Sequence, residues 1–235
     1  MVTTVVSAYY KIQGSKHEPH EYEKWIRIFF KSVKCPILFF TDTFSYSFIQ
    51  SCVVNKENTT ILIVERSEWK ANTFPTQFWE DQHHIDPQKN IQVPELYKVW
   101  YEKKEFIQRA IKQCQSTKFI WMDAGIIREE LYAKMLKGFP DESKIPDDRL
   151  VILAITSRLT GAGILAGTVE TWNKISRLYD ETLEKCVQEG ICVGQEQTVY
   201  TRLTVDYPRL FSVIHPNYKH NIWFYLLYYF SEKSS

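Results

Sequence analysis

Asp123 closes an apolar run, Phe119-Ile120-Trp121-Met122, and Gly125 follows two places later. In open α/β sheets ligands gather at the carboxyl ends of strands, and hard carboxylate oxygens suit Mg²⁺ or Mn²⁺ bridging a diphosphate. An Asp after a strand also starts turns and caps helices, so the position has a structural explanation beside the chemical one. Lys103 raises a second question. At about 100° per residue, Leu96, Val99, Trp100, Ile107, Ala110 and Ile111 share one stripe of a helix, and Lys103 lies in its middle. Lys98, Glu102, Glu105 and Arg109 fall on the opposite, polar side. A lysine aimed inward must snorkel, pair with a carboxylate or meet an anionic ligand such as phosphate, because an isolated buried charge is costly.

Three further stretches carry residue types with chemistry. SRLTGAGILAGT, residues 157–168, follows a strand and leads to a helix start; Gly161, Gly163 and Gly167, with Ala162 between the first two, remove side chains where a ligand could approach backbone, or else serve a tight turn with close strand packing. Its spacing is not that of a dinucleotide fingerprint. GQEQTVY, residues 194–200, puts Glu196 at a helix start, where it favours the helix dipole and could also serve as general base or hydroxyl anchor. His215 ends the strand FSVIH; imidazole can join a carboxylate around Mn²⁺, although lone histidines are usually structural. EDQHHID, residues 80–86, lacks the spacing of a zinc site. No GxSxG, reactive-cysteine setting or GxxxxGK[ST] loop is present, which argues against hydrolase, kinase and P-loop chemistry.

The elements that must position these residues alternate. Runs 3–9, 36–41, 60–65, 117–122, 150–156 and 211–215 read as strands, several of them apolar throughout as in a mostly parallel sheet covered on both faces. Helical patterns lie near 18–33, 94–115, 169–189 and 195–206. Pro94 suits a first turn, Thr168 an N-cap and Gly190 a C-cap. Residues 66–93 read as a long irregular insert and 138–149 as an exposed loop. The order predicts an α/β fold in one domain spanning 1–235.

Bulk composition narrows the partners. Lys+Arg 29 against Asp+Glu 28 gives no field to draw nucleic acid. Five cysteines without a CxxC pair suit reduced thiols. The N-terminus lacks the features of a signal peptide and no stretch is long enough to span a bilayer, so a cytoplasmic location is expected. IWFYLLYYF, residues 222–230, reads as a terminal helix completing the core, and its aromatics also offer a peripheral membrane contact.

Taken together, TTVVSAYYKI at the start, FFTD at 39–42, ELYKVWYEK at 95–103, FIWMDAG at 119–125, GAGILAGT at 161–168, VGQEQTVY at 193–200 and WFYL at 223–226 resemble the HtrL/YibB family, a glycosyltransferase-like group of the GT-A fold. More distantly the plan is similar to glycogenin-like glycosyltransferases. The resemblance implies a single GT-A-like, Rossmann-like domain with a central mostly parallel sheet flanked by helices. It also implies transfer of a sugar from a nucleotide-diphosphate donor to a glycan or protein hydroxyl. By position it places Ala8, Tyr9 and Tyr10 near the nucleotide, Asp123 on Mn²⁺ or Mg²⁺ and Gly161 to Gly163 along the sugar pocket. Glu196 falls near acceptor or donor sugar and His215 as second metal ligand, while Lys103 as a phosphate contact comes from the helical wheel. Gly125 replaces the second Asp of Asp-x-Asp, and the Gly and Lys that follow the metal His are missing after His215. Two other functions therefore stay open: a GT-A-shaped nucleotide-sugar-binding protein without transfer activity, and a nucleotidyltransferase.

Overall fold

The expected apolar runs do form strands, and they are buried because both faces of the sheet are covered. In the computed structural model, which describes residues 3–15, 17–136, 138–217 and 221–231, β1 (Thr3–Ala8) is closed to solvent from Thr3 to Ser7. It pairs in parallel with β2 (Ile37–Thr41) on one side and β4 (Lys118–Met122) on the other. β3 (Thr59–Ile63) adds in parallel at the edge beyond β2. Such strands need apolar side chains in both directions, which is why ILFFT and KFIWM show no alternation.

The second half of the sheet departs from expectation. Residues Leu159–Thr168 are not a loop but the longest strand, β6, antiparallel to both β4 and β5 (Leu150–Thr156). Glycine weakens strands, and three within seven residues disguised this one. Here each has a side chain packed close to where a Cβ would stand. A Cβ at Gly161 would come within 3.0 Å of Ile155, and one at Gly163 within 3.4 Å of the Asp123 carboxylate. β7 (Phe211–Ile214) completes the order β3-β2-β1-β4-β6-β5-β7, parallel to β5.

On one face α4 (Pro94–Gln113), α6 (Val169–Gln188) and α7 (Glu196–Asp206) build a core around Phe106, Trp121, Trp172 and Tyr200. On the other, α1 (Pro19–Ser32), α2 (Thr43–Cys52), α5 (Glu130–Met135) and α8 (Tyr225–Ser231) pack around Phe29, Phe39, Ile120 and Leu226. Pro94 opens α4 at its first turn, Thr168 accepts from the Thr171 amide at the start of α6, and Gly190 follows α6 with φ +72°. The C-terminal aromatic segment packs as expected, burying Leu226, Leu227 and Phe230, while Ile222 and Trp223 just before α8 stay exposed. No helix among the described residues is long and apolar enough to cross a membrane. All five cysteines are free thiols.

The insert 66–93 is more ordered than its sequence suggests. It carries α3 (Thr76–Ile85), so EDQHHID lies largely on a helix, and two short 3₁₀ turns that cover the outer side of α4. Glu102, expected on the polar side of α4, is consequently fully buried, with its Oε1 accepting the Ala71 amide at 2.7 Å. Residues 138–149, expected as an exposed loop, also bury Phe139 and Ile145.

Candidate functional site

Strand alternation sets the site. Trp121 and Asp123 leave β4 on the same face, and the indole Nε1 donates to Asp123 Oδ1 at 2.7 Å. The Asp123 amide continues the ladder to Gly163 O at 2.8 Å, so the backbone that carries the carboxylate is fixed from two sides. A Cβ at Gly163 would meet Ile126 at 3.0 Å and lie 3.4 Å from Asp123 Oδ2.

Lys103 reaches this point from the α4 stripe. Its ammonium lies 2.9 Å from Asp123 Oδ1, 2.6 Å from Glu196 Oε1 and 3.3 Å from Ala162 O. Three N–H groups meet three acceptors, so the inward lysine is a paired one rather than a snorkelling one. Burial alone would push its pKa down, but Asp123 and then Glu196 outweigh that and hold the ammonium above its ordinary value. Burial, partly offset by Lys103, raises the Glu196 carboxyl. Glu196 is brought in by the first turn of α7. Gln195, its N-cap, donates to Asp86 at 3.2 Å, and Tyr97 Oη donates to the same carboxylate at 2.6 Å.

A cleft of about 450 Å³ opens over Lys103 and Asp123, at the carboxyl ends of β1 and β4. The chain leaves β1 toward β2 on one side and returns to β4 on the other, so the cleft lies where strand order reverses. Ala8, Tyr9 and Tyr10 form one wall with the loop to Ser15. Leu96, Val99 and Trp100 of the α4 stripe form another, which explains why they are only half-buried while Ile107 and Ala110 are closed off. Burial, reinforced by Tyr22 and Asp42, pushes the Tyr9 phenol up to about 12. It stays neutral at any working pH.

Not all the expected residues come together. Gly161, Ala162 and Gly163 do not line the cleft. They lie in β6 behind it, where Ala162 supplies a carbonyl to Lys103 and Gly163 a carbonyl to Asp123. Glu196 also stays behind the wall, 5% exposed. His215 is exposed after β7, three strand spacings from β4, or roughly 14 Å in the sheet.

These positions bear on a divalent ion. Mg²⁺ or Mn²⁺ takes a near-octahedral shell of oxygen ligands. Asp123 offers one carboxylate, already accepting from Lys103 and Trp121. Gly125 offers no side chain, and a Cβ there would meet Trp25 at 3.2 Å. Among the described residues no three His, Cys, Asp or Glu side chains gather as a metal site. The chain's own donors do not fit the expected Mn²⁺ or Mg²⁺ shell of Asp123 with His215.

Other cleft residues were not singled out from sequence. Tyr22 and Trp25, three apart on α1, project into it with His17, and Arg128 closes the far end. The i,i+3 aromatic pair was a legible signal; their meeting with Arg128 depends on a separation of about a hundred residues and was not.

No protein-family model and no curated protein matches the sequence. Solved structures do resemble it. A galactosyltransferase, LgtC, in complex with donor and acceptor sugar analogues superposes with a TM-score of 0.50 at 13% identity, covering 91% of this chain and 73% of that one. Core-mannan synthase A from Aspergillus fumigatus, in its Mn/GDP form, gives 0.52 at 8% identity over 92% and 72%. Identities this low speak to architecture alone. The single domain, its mixed and mostly parallel seven-stranded sheet and its helical layers are those of the GT-A glycosyltransferase fold.

Proposed function

We propose that the chain is a glycosyltransferase that moves a sugar from a nucleotide-diphosphate donor to a hydroxyl acceptor, with the donor in the cleft over Asp123. One observation carries the reading. A buried lysine, held by two carboxylates and a carbonyl, forms the inner wall of an aromatic cleft at the switch point of a GT-A sheet. That arrangement fixes Asp123 in one orientation, and preorganised polar groups are what a reacting centre needs. The nucleoside lies along Ala8 to Tyr10, where neutral phenols give a flat, partly apolar surface. Asp123, 37% exposed at its side chain, meets the donor sugar or its phosphate edge. Glu196, shut behind Lys103, holds the ammonium rather than receiving an acceptor proton. Kinship with the HtrL/YibB group is part of this reading and rests on the segments quoted above. The acceptor is a glycan or protein hydroxyl.

The test is incubation with UDP-, GDP- and TDP-sugars, with and without Mn²⁺, following nucleoside diphosphate release and thermal shift. Turnover with one donor supports the proposal. A binding protein without transfer activity is favoured by one observation, that Asp123 and Glu196 are both committed to Lys103. It would show a shift in melting temperature and no release with any acceptor. No shift with any nucleotide would sink both.

A further inference from the structure

Charge in the cleft does not balance for an anionic ligand. Lys103 is the innermost cation, yet Asp123 and Glu196 leave that cluster at a net −1, and its three N–H groups are already used. A diphosphate placed there needs positive charge from elsewhere, and the donors for a divalent ion do not fit. Lys11 at the mouth is exposed, 5.7 Å from the Phe44 ring. Arg128 is different. Its guanidinium stacks 4.5 Å from the Trp25 ring and 5.7 Å from that of Phe224, and its Nε donates to Gly125 O at 3.3 Å. No carboxylate among the described residues pairs with it, and its two terminal NH₂ groups remain available at the cleft end.

We propose that Arg128 is the cation that binds the donor's diphosphate, so that donor binding needs no divalent metal. The inference rests on the donor reading above and adds the group that neutralises the phosphates. The geometry is suited to it. Trp25 fills the space that a side chain at position 125 would take and presents its face to Arg128. The indole beneath it and one N–H to Gly125 O hold the guanidinium in place. The free edge can then pair with two phosphate oxygens at once, which an ammonium cannot do. Tyr22 feels the same field: burial raises its phenol, with Arg128 pulling it down and Asp123 pushing it up, so both charges face one space.

The experiment is calorimetric titration of the full chain with UDP, GDP, uridine, guanosine and inorganic pyrophosphate, each in EDTA and in Mn²⁺. It is run on the native sequence, Arg128→Gln and Arg128→Lys, with melting temperatures to confirm folding. Expected is nucleoside diphosphate binding that survives EDTA. It should weaken at least about tenfold in Arg128→Gln and be only partly restored by Arg128→Lys, while nucleoside affinity stays unchanged. Binding that disappears in EDTA, or that Arg128→Gln leaves intact, overturns the role of Arg128 and leaves the donor reading standing. Pyrophosphate binding that depends on Arg128 without nucleotide binding keeps the anion site and removes the donor reading. No binding of any probe removes both.

Discussion

Lys103 is the residue on which the cleft depends, and its burial makes it costly to alter. Replacing it with Met leaves Glu196, 6% exposed at its side chain, as a buried carboxylate without its cation, whereas Asp123 keeps some solvent. Breaking a buried pair this way costs about 3–5 kcal/mol. Lys103→Met should therefore lower unfolding free energy by that amount in urea titration. Lys103→Met with Glu196→Gln should cost less than the two single changes summed, by roughly 0.5–3 kcal/mol. Strict additivity would show that the contact carries no coupling. The inward lysine was legible from the helical wheel, because one charge in an apolar stripe demands a partner. Which partner was not legible, since Glu196 lies 93 positions away on another helix.

Elements were read well where periodicity is strong and poorly where packing overrides it. The parallel strands and α4, α6 and α7 emerge from apolar runs and caps. β6 did not, because its glycines answer to the close approach of Ile155 and Ile126 rather than to strand propensity. The insert over α4 misled in the other direction, since nothing local to Glu102 says that Ala71 will cover it. That contact carries a prediction about pH. Burial pushes the Glu102 carboxyl from 4.5 up to about 7, and its Oε2 has no partner. The protonated form is favoured in the fold, so this contribution is full below about pH 4.5 and is lost as pH rises through about 7, on the order of 3 kcal/mol in all. Glu102→Gln keeps an acceptor for the Ala71 amide and cannot ionise. It should be more stable than the native chain at pH 8 and indistinguishable from it near pH 4.5, by thermal melts at both. A gap equal at the two values would mean that Glu102 does not titrate in the fold.

At the scale of the molecule the sheet is made in two halves, β1 to β4 and β5 to β7, joined through the antiparallel β4–β6 ladder. Lys103 and Asp123 belong to the first half and Glu196 to the second, so the ion pair stitches across the seam beside that ladder. Native-state hydrogen exchange should resolve these halves as separate cooperative units. Glu196→Gln should speed opening of α6 and α7 amides while leaving those of β1 and β2 unchanged. Uniform acceleration would show one unit and no seam. The class of fold and the position of the cleft were legible from element order, because ligands in such sheets collect where that order reverses. The Mn²⁺ or Mg²⁺ expectation named Asp123 with His215, and the fold holds those two three strand spacings apart, a separation that no local spacing in the sequence reveals.

The close approach of Trp25 to Gly125 couples position 125 to the seat of Arg128. A Cβ at 125 would lie 3.2 Å from the indole, which would have to give by a few tenths of an ångström, and Arg128 lies over that same indole. A side chain at 125 therefore reaches Arg128 indirectly, through the indole that both touch. Trp25, Gly125 and Arg128 thus form one chain of contacts, in which a change at the first or second is felt at the third.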